Sequence, residues 1–228
     1  MPRETFKRLP ETKRAAIERA AIEEFANSPY RNASINTIVD KAGIAKGSLY
    51  QYFKDKRDLY GYILSIVQQK KKVLAASLTP PSNSMDTFAY LRWMAQLDLL
   101  FRLREPELAN IEQYAFLEAP LREGEDPETG ERVMGDTRFQ DFLTQGILHD
   151  DIATWVDTGL AAYILGVIIN LVGPYLIARL GKDAESLKDG SADILYEPHT
   201  QALLDNLLDV IEAGIARDPQ IRKDYYSK

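Results

Sequence analysis

Residues 34–57 read Ser34-Ile35-Asn36-Thr37-Ile38-Val39-Asp40-Lys41-Ala42-Gly43-Ile44-Ala45-Lys46-Gly47-Ser48-Leu49-Tyr50-Gln51-Tyr52-Phe53-Lys54-Asp55-Lys56-Arg57. Ser34 is a suitable N-cap, its hydroxyl placed to accept from the amide of Asn36 or Thr37. Ile35, Ile38, Val39 and Ala42 follow at helical spacing and give one short helix an apolar stripe. Gly43 ends it, because a left-handed terminal residue costs glycine least. Only Ile44 and Ala45 then precede a second periodic run, Leu49 and Phe53 at i and i+4. Two short helices across a tight glycine-containing turn make a helix-turn-helix, whose second helix can enter a major groove. Two ordinary surface helices with a solvated charge run would show the same bare pattern.

The polar residues suit the first alternative. With Leu49 and Phe53 turned inward, Lys46, Gly47, Ser48, Tyr50, Gln51 and Tyr52 fall on the sides and outer face of the second helix. Lysine and hydroxyl groups match phosphate oxygens, and Gly47 removes a side chain where a backbone can approach closely. Gln51 can present both amide groups to an adenine edge. Lys54, Lys56 and Arg57 add positive charge just beyond.

The run from Gly43 to Leu59 resembles the signature of the TetR family of bacterial transcriptional regulators, and Arg14, Ile17, Ala20, Ala21 and Phe25 resemble that family's first helix. The resemblance covers about residues 11–64. It departs at Ala45, where a Ser or Thr cap is usual, and at Gln51 and Tyr52, where Tyr and His are common. These departures put the family's base preferences in doubt for this chain, not its fold.

The resemblance implies an all-α protein, with a three-helix DNA-binding head over residues 1–55 and a helical ligand-binding and dimerisation body over 56–228. It also implies that two C-terminal helices, within 153–180 and 199–216, form a four-helix dimer interface. The long helix from Asp55 or Lys56 would join head to body.

Charge is segregated in the way such a division requires. The net charge is −6, yet residues 1–72 carry +7 and residues 73–228 carry −13. A basic end on an acidic body is expected where one end meets a polyanion and the other is repelled from it. Cysteine is absent, which excludes disulfides, thiolate nucleophiles and cysteine metal sites. The first eight residues are basic with no apolar stretch behind them, unlike a secretory signal, and a cytoplasmic location is expected. Residues 1–9 read as a flexible arm able to touch phosphates.

Along the chain, Pro10 and Glu11 open a helix striped by Ile17, Ala20, Ala21 and Phe25, with Glu24 out of place in the stripe. Lys70, Lys71 and Lys72 read as a solvated face. Pro80 and Pro81 close the long helix and residues 82–84 complete a linker. Helices are expected at 85–104 and at 107–118, the latter with Ile111, Tyr114, Ala115 and Leu117 inward. A loop is expected at 119–131, and further helices at 132–148 and about 200–216, with a polar loop at 181–198 between the apolar run and the last helix. From Gly159 to Ala178 the one clearly polar side chain is Asn170, long enough for a membrane span. Pro174, Arg179 and the lack of a second such segment favour a helix buried between its own core and a partner subunit, so no membrane partner is expected. Gly159, Gly166 and Gly173, seven apart, suit close helix approach or incidental packing.

Catalytic and metal patterns are missing. His149 and His199 sit at helix boundaries far apart, and neither a phosphate loop nor a nucleophile elbow is present. No metal, cofactor or enzymatic activity is expected. The expected role is a homodimeric repressor that leaves a near-palindromic, double-stranded operator when a hydrophobic or aromatic small molecule binds. Lys46, Ser48, Tyr50 and Lys56 would hold phosphates, with Ser34 and Thr37 at a further one, while Gln51 and Tyr52 would read bases. Trp93, Met94, Phe101, Tyr114, Phe116, Tyr163 and Asn170 are the candidate effector contacts, though for each taken alone plain core packing is the commoner role. The rival readings are a helical small-molecule carrier without a DNA function, a protein anchored in the membrane by 159–178, and an activator of the same fold.

Overall fold

The structure, a computed structural model, describes residues 2–80, 86–118, 137–181 and 192–217. The expected loop at 119–131, the start of the helix expected from 132, and the linker beyond Pro80 lie outside or largely outside these residues. Ten α-helices follow one another: α1 (Glu4–Lys7), α2 (Glu11–Asn27), α3 (Ile35–Lys41), α4 (Lys46–Tyr52), α5 (Lys56–Ser77), α6 (Thr87–Arg104), α7 (Pro106–Glu118), α8 (Thr137–Leu148), α9 (Thr158–Leu180) and α10 (Pro198–Ile215). A short 3-10 helix, Ala192–Tyr196, precedes α10. Among the described residues β pairing is limited to one isolated bridge between Ile152 and Ala216. The all-α class is therefore observed.

The chain divides into two compact units, Met1–Ser77 with Glu105–Leu121, and Leu78–Arg104 with Arg122–Lys228. In the first, the stripe of α2 is buried as its spacing predicts: Ile17, Ala20, Ala21 and Phe25 meet Ile38 and Val39 of α3, Leu49 of α4, and Leu59 and Ile63 of α5 in one core. Gly43 adopts φ +64°, and the amides of Gly43 and Ile44 bond back to the carbonyls of Asp40 and Val39 at 3.2 and 3.0 Å. That left-handed turn reverses the chain between α3 and α4.

Residues 2–9 of the expected arm are not loose. Phe6 of α1 is 1% exposed, its ring 4.8 Å from Phe53 and 5.4 Å from Tyr62. The Arg3 amide donates to the Tyr52 carbonyl at 2.9 Å, and the Thr5 hydroxyl to that of Gln51 at 2.7 Å. Both are C-terminal carbonyls of α4, which have no partner within their own helix.

Helix α7 packs on α2 and α5 in the same unit, burying Leu108, Ala109 and Ile111. Its inward face is rotated from the one expected: Tyr114 and Ala115 are half-buried and Leu117 is 46% exposed. Ion pairs hold this face. Arg19 forks onto Glu107, Lys70 meets Glu105 at 2.9 Å and Lys71 meets Glu112 at 2.7 Å. Two of the three lysines read as a solvated face thus pair with acids at and before α7.

In the second unit α6 contributes Phe88, Leu91, Leu99, Leu100, Phe101 and Leu103 to the core. Asp151 accepts from the amide and hydroxyl of Thr87 at 2.9 and 2.8 Å, fixing the first turn of α6 to the segment after α8. Helix α9 is capped by Asp157, which accepts from the Leu160 amide at 3.0 Å, and ends at left-handed Gly181. A Cβ at Gly173 would come within 3.0 Å of the Asp98 carboxylate and of the Arg102 side chain. Gly173 therefore serves the approach of α6 to α9 within one chain. On its other side α9 leaves Leu160, Tyr163, Ile164 and Tyr175 exposed at 42–60%.

Candidate nucleic-acid interface

The segment between α2 and α3 is gripped from three sides, and this sets the position of the helix-turn-helix. Glu24, the misfit in the α2 stripe, accepts the Ser34 amide at 2.7 Å. Glu118, at the end of α7, accepts the amides of Tyr30 and Arg31 at 3.0 and 3.2 Å. An acid at a helix C-terminus opposes the helix dipole, so this placement is explained by its tertiary partners. Lys56 supplies the opposite charge, donating from Nζ to the Ala33 carbonyl at 2.9 Å and lying 4.6 Å from the centre of the Tyr30 ring.

Ser34 caps α3 as expected, its hydroxyl accepting from the Thr37 amide at 3.3 Å. A hydroxyl that accepts still has its hydrogen to donate, so Ser34 and the half-buried Thr37 offer donors to an anion. Helix α4 has no side-chain cap at Ala45. Lys46, Gly47, Tyr50 and Gln51 are exposed and Ser48 is half-buried. Nothing lies within 4 Å of a Cβ built at Gly47, so no contact inside the chain requires glycine there. The Gln51 side-chain amide has no protein hydrogen bond among the described residues.

Two expected positions change. Tyr52 is 7% exposed, covered by Phe6 at 6.0 Å between ring centres. It faces the core and is withdrawn from the outer face of α4, because the buried α1 occupies that side. Lys56 is half-buried, with its ammonium engaged by carbonyl oxygens. Its geometry is that of a brace between α5 and the segment before α3. Lys56→Ala leaves the buried Ala33 carbonyl unpaired, at about 1–3 kcal/mol. Duplex affinity and melting temperature are expected to fall together, with the slope of log K against log salt unchanged. A slope reduced by about two, one contact in each half-site of a dimer, with an unchanged melting temperature would return Lys56 to the phosphate contacts.

The cations of the first unit sort into two groups. Lys7, Arg14, Arg19, Lys41, Lys70 and Lys71 pair with acids. The Lys41 ammonium, through its hydrogen bond and charge, holds the Glu23 carboxyl below its usual range. Arg3, Arg8, Lys13, Arg31, Lys46, Lys54, Arg57 and Lys72 are exposed and form no ion pair within 4.0 Å among the described residues. Five of them gather about α4: Lys46 within it, Arg31 and Lys54 in the segments leading into α3 and α5, Arg57 in the first turn of α5, and Arg3 before α1, its amide bonded to the Tyr52 carbonyl. Uncompensated positive charge beside exposed hydrogen-bonding side chains is the footprint of a polyanion site.

The seven candidate effector contacts are not gathered in one unit. Tyr114 and Phe116 belong to α7 and the first unit, whereas Trp93, Met94, Phe101, Tyr163 and Asn170 belong to the second. Phe101 is fully buried, Tyr163 is 42% exposed, and the Asn170 amide donates to the Gly166 carbonyl of its own helix at 2.8 Å. Trp93 stacks on Tyr90 at 5.4 Å, and Tyr90 meets Phe142 at 5.0 Å. The indole N–H of Trp93 is buried with no hydrogen-bond acceptor among the described residues.

The sequence profile of bacterial regulatory proteins of the tetR family matches residues 17–63. A crystal structure of a TetR family transcriptional regulator from Chloroflexus aurantiacus J-10-FL is 33% identical, covering 96% of this chain and 100% of that one, with a TM-score of 0.75. The TetR family protein CprB from S. coelicolor A3(2) shares the fold at 20% identity, covering 95% of this chain and 94% of that one, with a TM-score of 0.55. The fatty acid metabolism regulator protein of Bacillus subtilis (strain 168) is 35% identical over 51 residues, 22% of this chain. That match spans a quarter of the B. subtilis protein's length.

Proposed function

Because this chain belongs to the TetR family of DNA-binding bacterial transcriptional regulators, we propose that it is a cytoplasmic homodimeric repressor released from its operator by a small apolar or aromatic effector. The observation that carries the DNA-binding part is the cluster of uncompensated cations around α4, on a unit where six other cations pair with acids. Lys46, Ser48 and Tyr50 position α4 against phosphates, Ser34 and Thr37 hold a neighbouring one, and Gln51 reads a base edge in the major groove. Gly47 lets the α4 backbone approach the duplex. The functional division follows the head at residues 1–55 and the body from 56 onward.

The exposed apolar side of α9 supports the dimer. Helix α9 is long and apolar enough to cross a membrane, and only 39% of its most apolar window is buried within this chain. A second copy covering Leu160, Tyr163, Ile164 and Tyr175, with α10 alongside, accounts for a helix apolar on every side in a protein whose other described helices fail that test. The effector part rests on the Tyr90–Trp93–Phe142 aromatic cluster and its orphaned indole N–H, a donor aimed among apolar groups. Effector binding lowers DNA affinity by no more than its own differential affinity for the two body conformations.

The deciding experiment is selection of bound duplexes from a random pool at fixed, moderate salt. The expected product is a near-palindrome with half-sites about one helical turn apart. A folded protein that enriches no sequence would sink the operator-reading role and favour the carrier.

A further inference from the structure

We propose that a cleft outside the helix-turn-helix, formed by Arg3 with Lys54 and Arg57, holds a backbone phosphate of the operator duplex. The inference rests on the DNA-binding role above and adds a contact to it. The cleft, of about 530 Å³, is lined by Arg3, Lys54, Asp55, Arg57, Asp58 and Gly61. It opens where α4 ends and α5 begins.

Arg3 is placed there by its own segment. Its amide bonds to Tyr52 and the Thr5 hydroxyl to Gln51, while Phe6 is sunk against Phe53 and Tyr62. The backbone that bears the guanidinium is thus docked next to the last turn of α4, and only the side chain is left for the duplex to order. A tethered cation binds a phosphate at lower entropic cost than one on a loose chain.

The two acids in the cleft are committed locally. Asp55 accepts the Asp58 amide at 2.8 Å and Asp58 accepts the Lys54 amide at 3.0 Å. Burial alone would raise the Asp58 carboxyl, but hydrogen bonding and nearby positive charge, Arg3's included, hold it below its usual range. Both carboxylates therefore hold the turn between α4 and α5 in shape. Three cations against two anions leave the cleft net positive, and the space beside Gly61 is open, with nothing within 4 Å of a Cβ there. An oxyanion on a strand running past α4 meets these requirements. A base edge is told apart by the test below, because an arginine reading guanine O6 and N7 would lose affinity on the operator and not on the scrambled duplex.

The test measures duplex affinity by fluorescence anisotropy across about 0.05–0.4 M salt, using the selected operator and a scrambled duplex, with full-length wild type, Arg3→Ala and Arg3→Lys. Alanine keeps the amide that bonds Tyr52, and circular dichroism checks that the fold is intact. One phosphate contact contributes about 0.9 to the salt slope and a two-fold dimer loses two, about 1.8 in all, so binding weakens about thirty-fold at ~0.15 M and progressively less as salt rises. Arg3→Ala is expected to lose that slope on both duplexes equally, and Arg3→Lys to recover most of it. A wild-type slope and affinity in Arg3→Ala would overturn the cleft while leaving the DNA-binding role standing. Wild-type protein that binds neither duplex would instead bring down the role on which the cleft rests.

Discussion

Phe53→Ala is expected to cost about 3–5 kcal/mol, the range for deleting a buried aromatic ring. Phe53 follows α4 directly, is 1% exposed, and its amide still bonds to the Leu49 carbonyl at 2.9 Å. Its ring lies 4.8 Å from Phe6 and 5.7 Å from Tyr62. The Tyr62 hydroxyl donates to Glu18 at 2.6 Å, so the same cluster links α1, α4, α5 and α2. A cavity there cannot be filled by one neighbour, because each neighbour is anchored to a different helix. At about 2–4 °C per kcal/mol for a chain of this size, the melting temperature followed by far-ultraviolet dichroism should fall by roughly 6–20 °C. Both tryptophans, Trp93 and Trp155, belong to the second unit, so their fluorescence transition should move less. A dichroism shift below about 2 °C would mean that the cluster is not what holds α4 in place.

Gln51→Ala should have the second largest effect, and on sequence preference in place of stability. The side chain is exposed on α4 and has no hydrogen-bond partner among the described residues, so its removal should change stability by no more than about 0.5 kcal/mol. A bidentate contact to adenine discriminates by about 1–3 kcal/mol. A two-fold dimer loses it in both half-sites, so operator affinity should fall by about 2–6 kcal/mol, roughly 30-fold to 10⁴-fold. Repeating the duplex selection with this variant should show one base pair per half-site losing its preference. An unchanged selected site would remove Gln51 from base reading.

The sequence carried the helix-turn-helix because its signals are local. Ser34 as cap, Gly43 at positive φ and the spacing of Ile38, Val39 and Leu49 are each set by neighbours within four residues. The segregation of charge was equally plain, since it is a property of composition. Tyr52 misled because helical angle alone put it outward, whereas Phe6, 46 residues earlier, covers it. Leu117 misled for a related reason: α7 turns toward α2 and α5 the face that lets Glu107 and Glu112 reach Arg19 and Lys71. Lys56 looked like another phosphate cation, and its carbonyl partners are visible only once the segment before α3 is folded beside it.

By itself, then, the sequence determined the all-helical class, the position of the helix-turn-helix, its capping and turn, and the basic character of one end. These depend on backbone preference and hydrophobic period, which act over a few residues. The tertiary structure alone decided that α1 is docked beneath α4, that Glu24, Glu118 and Lys56 grip the segment leading into α3, and which cations are left unpaired to meet an anion. Those outcomes depend on which distant groups come within hydrogen-bonding range, and residues up to 88 positions apart meet there only because the core brings their helices together.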